Sequence, residues 1–347
     1  MRRGRWGFAL LASGVLTLAA SQPALGGTFH GVVTQADLQL ADYERMRDGN
    51  VGTLRLRVSW DRVERTAGAP PQWAWLDEVV DRTARNGIRV LPEVEGQAPA
   101  GISTPPLDRR SRRAYARFAG ALAARYGRGG SFWDAWTGGR AEPITAWQIW
   151  NEQNGRAYWG AKPSPRAYGK LVKAAARRIR GADPRAEIVL GGMFGTPGGA
   201  DSIHAGRYLR ALYRVPGIKA AFDTVAIHPY SPTVRGIPKE EIRAFRRVMR
   251  RNGDRRAGLR VTEFGWGSGS SQASIYNAGR RGQARLLRES FRWFERKRKV
   301  WKIKGVNWFS WADQSRVIIC SFCPTSGLFT ERREPKPAWH AFTRIAR

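Results

Sequence analysis

Short apolar runs rich in β-branched residues alternate eight times with helical stretches between Phe29 and Ile345, and this alternation limits what the chain can fold into. The runs are FHGVV (Phe29 to Val33), TLRLRV (Thr53 to Val58), IRVLPEV (Ile88 to Val94) and Ala146 to Trp150. They continue with EIVLGG (Glu187 to Gly192), FDTVAIH (Phe222 to His228), LRVTEFGWG (Leu259 to Gly267) and GVNWFSW (Gly305 to Trp311). Helices are predicted between them. Ser164-Pro165 supplies an N-cap and a proline at the first helical position. Tyr168, Leu171, Val172, Ala175 and Ile179 then recur at the spacing of one buried helix face. Asn86-Gly87 closes an earlier helix. Strand and helix in alternation predict a parallel α/β architecture. The eightfold count, with no glycine-rich phosphate fingerprint after the first strand, favours a closed (β/α)8 TIM barrel over a doubly wound sheet. A length of 347 residues fits two average domains or one large barrel. No linker divides the chain, so residues 27–347 read as one barrel domain.

The first 26 residues read differently. Arg2, Arg3 and Arg5 precede an apolar run from Phe8 to Ala20 and small residues around Ala24 to Gly26. That order is the pattern of a secretory signal peptide, with an uncleaved anchor as the alternative. The mature chain is therefore expected to be secreted, monomeric and without a membrane span. Cys320 and Cys323 are the two cysteines. Secretion favours a disulfide between them over free thiols or a redox pair. The four histidines are scattered without ligand spacing, so neither a metal nor another cofactor is expected. The formal charge is +32, with 50 Arg against 10 Lys. The arginines spread over nearly every outer helix, which reads as a solvated exterior. Adhesion to an anionic cell wall or binding of an acidic glycan is the alternative. No basic groove motif with interleaved aromatics points to specific nucleic-acid binding.

In a barrel of this kind the chemistry sits at the C-terminal ends of the strands. Asn151 and Glu152 end the fourth run and Glu263 ends the seventh. Arg55 or Arg57 lies on the second, His228 and Tyr230 end the sixth, and Trp308 and Trp311 lie on the eighth. Glu93, Glu95 and Asp313 lie near other strand ends as rim carboxylates. Two carboxylates, a few donors and aromatic faces suit a retaining glycosidase, in which one carboxyl protonates the leaving oxygen while the other attacks the anomeric carbon.

The ordered set WNEQN, HPY, TEFGW and WFSWAD resembles clan A of the glycoside hydrolases, which includes cellulases and β-xylosidases. LRLRVSWDRVE resembles the clan's second strand and points to Arg55 over Arg57. The resemblance implies Glu152 as acid/base, Glu263 as nucleophile and Asn151 as ligand of a sugar hydroxyl. It implies His228 and Tyr230 as site-lining residues, with Tyr230 a hydrogen-bond donor to Glu263, and Trp308 or Trp311 as the floor of the sugar site. Gln153 departs from the proline often found after the clan's Asn-Glu. The expected activity is hydrolysis of a β-linked glycan. A non-catalytic glycan- or wall-binding barrel, or a transglycosylase with the same two glutamates, is the alternative.

Overall fold

The computed structural model describes residues 29–233, 239–316 and 320–347. The leader read at residues 1–26 lies outside them. Among the described residues nine parallel strands form one sheet: β1 (His30–Thr34), β2 (Thr53–Ser59), β3 (Arg89–Glu95), β4 (Ala146–Ile149), β5 (Glu187–Leu190), β6 (Met193–Phe194), β7 (Thr224–His228), β8 (Gly258–Phe264) and β9 (Ile303–Phe309). Pairing runs β5-β4-β3-β2-β1-β9-β8-β7-β6, and a β5–β7 contact at Val189 and Thr224 closes the ring. β5 and β6 are two pieces of one stave, because both pair with β7. The barrel thus has eight staves, one of them interrupted. Gly191 and Gly192 make the break. A Cβ on Gly191 would lie 2.1 Å from the Gln153 amide oxygen, and one on Gly192 would lie 2.0 Å from His228 Nε2. The stave gives way so that side chains from β4 and β7 can pass.

Among the described residues ten helices cover the sheet: α1 (Leu40–Asp48), α2 (Trp60–Val63), α3 (Ala74–Arg85), α4 (Arg109–Tyr126), α5 (Arg156–Trp159), α6 (Pro165–Ala182), α7 (Ala205–Tyr213), α8 (Lys239–Arg251), α9 (Gly279–Trp301) and α10 (Pro337–Ala346). Their starts follow local chemistry. Asp108 caps α4 by accepting from the Arg110 and Ser111 amides, and Ser164 caps α6 by accepting from Ala167 at 3.2 Å. Their buried faces meet the outward residues of the strands. Phe118, Leu122, Leu171, Val172, Leu209, Phe245, Phe291 and Phe294 join Leu54, Trp147, Ile149, Ile188, Val225 and Trp308 in one continuous core. Among the described residues no helix is long and apolar enough to cross a membrane.

Strand register decides which residues enter the bore. Val33 lies beside Arg55 and Phe309, and Arg55 beside Leu91, so these four share the inner surface. Leu91, Ala146, Val189 and Ala226 form a small apolar layer across the middle. Polar side chains fill both ends. Below the layer, Glu187 accepts from Thr224, Arg260 and Lys304. Above it stand the strand-end residues of the candidate site.

Candidate active site

The fourth strand stops because the backbone leaves β geometry at its lip. Trp150 and Glu152 have φ of 66° and 39°, a region that side-chain-bearing residues seldom occupy. Each such residue costs about 1–3 kcal/mol and persists only where neighbours fix it. Here the neighbours are numerous. The Trp150 amide donates to the Val94 carbonyl at 3.0 Å, Gln148 donates to the Trp150 carbonyl at 2.9 Å, and the Glu152 amide donates to the Gly192 carbonyl at 2.9 Å. Asn154 donates to the carbonyls of Phe194 and Ile203. The turn directs Asn151 and Glu152 into the mouth, while Gln153 is buried and donates to the Gly191 carbonyl.

Arg55 organises the floor. It is buried on β2, and its guanidinium donates Nε to Gln148 (3.0 Å), Nη1 to Glu263 (2.6 Å) and Nη2 to the Asn151 oxygen (2.9 Å), with Glu93 also paired to Nη2. An always-charged planar fork is suited to joining four partners from three strands. Because Arg55 takes the Asn151 oxygen, the amide nitrogen of Asn151 is left to donate toward a ligand. Arg57 sits higher, is mostly exposed and pairs with Glu95 at 2.8 Å. Of the two arginines read on this strand, Arg55 is the one inside the site.

Glu263 reaches the mouth through an irregularity. β8 and β9 shift register between Val261 and Phe264. Thr262 and Glu263, neighbours in sequence, therefore both meet groups in the bore, while Phe264 packs outward on Phe291 and Phe294 of α9. Glu263 accepts from Arg55 and, at 2.9 Å, from the Tyr230 hydroxyl. His228 spans the pair, with Nδ1 2.7 Å from Glu152 Oε1 and 3.7 Å from Glu263 Oε2, and Nε2 3.0 Å from the Thr262 hydroxyl.

The two carboxyls titrate in opposite directions. Burial raises Glu152, and the Glu263 charge adds to this against the opposing pull of His228 and Arg55. Burial also pushes Glu263 upward, but His228, Arg55 and the Tyr230 hydrogen bond together outweigh it and hold Glu263 below the usual carboxylate range. One group is thus set to hold a proton while the other is ionised, which is the division that acid and nucleophile require. One ligand atom each of Glu152, His228 and Glu263 lie within 4.8 Å of one another. Within this cluster Glu152 Oε1 and His228 Nδ1 are engaged with each other.

The tryptophans expected to floor the site do not. Trp308 is fully buried on the outer surface of β9 against Phe264 and Trp266, with its indole N–H on the Ser326 carbonyl. Trp311 lies beyond the strand, packed on Phe329 and Trp339. The strand alternates, so the aromatic it turns inward is Phe309, in register with Val33 and 6.3 Å from Tyr230. Tyr158 on α5 is 39% exposed, and the charges of Glu152 and Glu263 act on its hydroxyl. Gln148, Thr262 and Phe309 escape a reading of strand ends. Gln148 left a trace in the sequence, as a polar residue inside an apolar run. Asp313 pairs with Lys336 at 2.8 Å. Cys320 and Cys323 form a disulfide.

No protein-family model matches the chain, and no curated protein matches it in sequence. Solved structures do. A family 39 glycoside hydrolase from Bacteroides cellulosilyticus WH2 superposes with a TM-score of 0.68 at 19% identity, covering 92% of this chain and 63% of that one. A monomeric β-xylosidase from Caulobacter crescentus CB15 gives 0.63 at 16%, covering 91% and 68%. An endo-β-1,4-glucanase from Xanthomonas axonopodis pv. citri gives 0.62 at 15%, covering 92% and 98%. The chain spans less than two thirds of the Bacteroides protein. The likeness is one of fold: the chain has the (β/α)8 barrel of these enzymes.

Proposed function

We propose that the protein is a secreted, retaining glycoside hydrolase of the clan A type, acting on a β-linked glycan. The observation that carries this reading is the Glu152–Glu263 pair, with carboxylate oxygens within 4.8 Å across the mouth and pKa values displaced in opposite directions. A separation of about 5 Å suits double displacement and leaves too little room for the water that an inverting mechanism places between its carboxyls. Glu263 attacks the anomeric carbon while Glu152 gives its proton to the leaving oxygen, producing a glycosyl ester. Glu152 then takes a proton from a water molecule whose oxygen bonds to the anomeric carbon as the ester bond to Glu263 breaks, which releases the sugar and restores both glutamates. The Glu152–His228 hydrogen bond holds the acid in place through both steps. Asn151, gripped by Arg55, offers its amide to the hydroxyl beside the reacting carbon. Secretion is supported by the order of charged, apolar and small residues before Gly27.

The two arginines that β2 brings to the mouth are both committed to carboxylates, Arg55 to Glu93 and Glu263 and Arg57 to Glu95. Neither is left for a uronate, so the reacting position favours a neutral sugar even though the exterior is strongly basic. A panel of activated 2-fluoro glycosides, neutral and uronic, tests the proposal. Peptide mass spectrometry is expected to find a neutral glycosyl adduct on Glu263. An adduct on another carboxylate overturns the assignment, and product of inverted configuration overturns the mechanism.

A further inference from the structure

The CSFC stretch has no part in the chemistry above, yet the structure carries it to the site. Cys320 and Cys323 close a four-residue ring after β9, and Phe322 within that ring turns inward, 6% exposed. Its side chain lies 5.4 Å from the ring of Tyr230, 5.3 Å from Tyr276 and 6.4 Å from Phe309. The backbone around it is held by turn contacts. The Thr325 amide donates to the Phe322 carbonyl, the Ser326 amide and hydroxyl to the Cys323 carbonyl, and Ser321 to the Ser274 hydroxyl. Tyr230 is boxed by Phe194, His228, Phe309 and Phe322 at 5.4–6.3 Å. Inside that box its hydroxyl meets Glu263.

We propose that the disulfide-closed loop is a positioning element of the active site: it presses Phe322 against Tyr230 and so keeps the Tyr230 hydroxyl on Glu263. A phenol turns about two side-chain torsions, and Phe322 blocks one direction of that movement. An irregular segment carrying a large apolar side chain would otherwise sample many conformations, and cross-linking the chain on both sides of Phe322 narrows that range locally. With Phe322 displaced, the Tyr230 ring gains room and Glu263 loses a donor. The charged and titratable groups facing Glu263 are Arg55 from β2, Glu152 from the β4 lip, Tyr158 from α5, His228 from β7 and Tyr230 just beyond it. Glu93 of β3 shares its guanidinium. Loss of one donor from this set moves Glu263 toward the ordinary carboxylate range, so its ionised fraction falls at acid pH.

The inference rests on Glu263 being the nucleophile, and the test separates the two. The carboxyl of Glu263 is followed through pH by 13C NMR of protein labelled at glutamate, with its signal assigned by loss in Glu263→Gln. This reading needs no turnover. Phe322→Ala and the double variant Cys320→Ser/Cys323→Ser are expected to raise the Glu263 midpoint in the same direction as Tyr230→Phe. Phe322→Ala added to Tyr230→Phe is expected to add little. Phe322→Leu is expected to restore part of the shift. In kinetics on a small glycoside, Phe322→Ala is expected to lower kcat about tenfold with KM changed less than twofold, and to move the acid limb upward. Reduction of the wild-type disulfide by dithiothreitol, which leaves two thiols and oxidised dithiothreitol, reproduces both effects in a chain folded before treatment. An unchanged Glu263 midpoint in Phe322→Ala and in the reduced enzyme overturns the inference, as does full additivity with Tyr230→Phe. A shifted midpoint in a protein without turnover sustains the loop's role and overturns the hydrolase reading.

Discussion

The two ends of the bore hold charge arranged by opposite rules. At the N-terminal end one carboxylate meets two cations: Glu187 lies 3.3 Å from Arg260 and 3.1 Å from Lys304, and it also accepts from Thr224. Burial pushes Glu187 upward, but the two cations overcome it and bring its pKa to about 2. At the C-terminal end Glu93, Glu95, Glu152 and Glu263 share Arg55 and Arg57, with His228 beside them. Carboxylates in excess of fixed cations cannot all ionise in a buried space. Burial and the neighbouring Glu93 raise Glu95, and burial raises Glu152, while Glu263 stays low. A compensated cluster ties strands together. An uncompensated one stores a proton, and a stored proton is what acid catalysis uses.

Substitutions at the two ends should therefore fail in different ways. Glu263→Gln is expected to lower turnover by at least about four orders of magnitude. Thermal stability should hold, because Arg55 keeps Glu93. A variant that loses both activity and folding would break the contrast. Arg55→Met should damage both properties, since it leaves two buried carboxylates without their cation. A loss on the order of 3–5 kcal/mol in urea unfolding is expected, with any residual activity showing its acid limb at higher pH.

Glu187→Gln is expected to reduce stability while leaving kcat on a small glycoside within about twofold. The pH dependence follows from its lowered pKa. Its contribution is complete above about 4.5 and fades as pH falls toward about 2, and it amounts to on the order of 3 kcal/mol. Urea midpoints between pH 5 and 2 should consequently fall more in the wild type than in the variant. Parallel curves would show that the lower cluster adds nothing. The smallest expected effect sharpens the upper cluster. The pH profile of kcat/KM should be bell-shaped, with the acid limb below the ordinary carboxylate range as Glu263 ionises and the alkaline limb above it as Glu152 loses its proton. Glu152→Gln should remove the alkaline limb for substrates whose leaving group needs no proton.

Much of the barrel could be read from the chain. The helix read after Ser164-Pro165 starts at that cap and buries the face from Tyr168 to Ile179, and the eight runs became the eight staves. The interruption between β5 and β6 was not readable, because Gly191 and Gly192 serve side chains about 40 residues away on either side. At the mouth, the strand-end rule found residues that ended a run, including Asn151, Glu152 and Glu263. It misplaced Trp308 and Trp311, since the inner or outer face of β9 depends on register with β1, and that register puts Phe309 inside.

The sequence by itself determined the alternation, the polar residues at the strand ends and the excess of arginine, because these follow from local periodicity and composition. The motif resemblance pointed to the roles of the two glutamates and to Arg55, but only the tertiary structure supplied the surroundings that displace the two carboxyls in opposite directions and decided which aromatics face the cleft. Those outcomes depend on burial and on charges from β2, β4, β7 and β8 meeting within a few ångströms. No local pattern encodes such a meeting, because each strand contributes one group and the closed barrel supplies the distance between them.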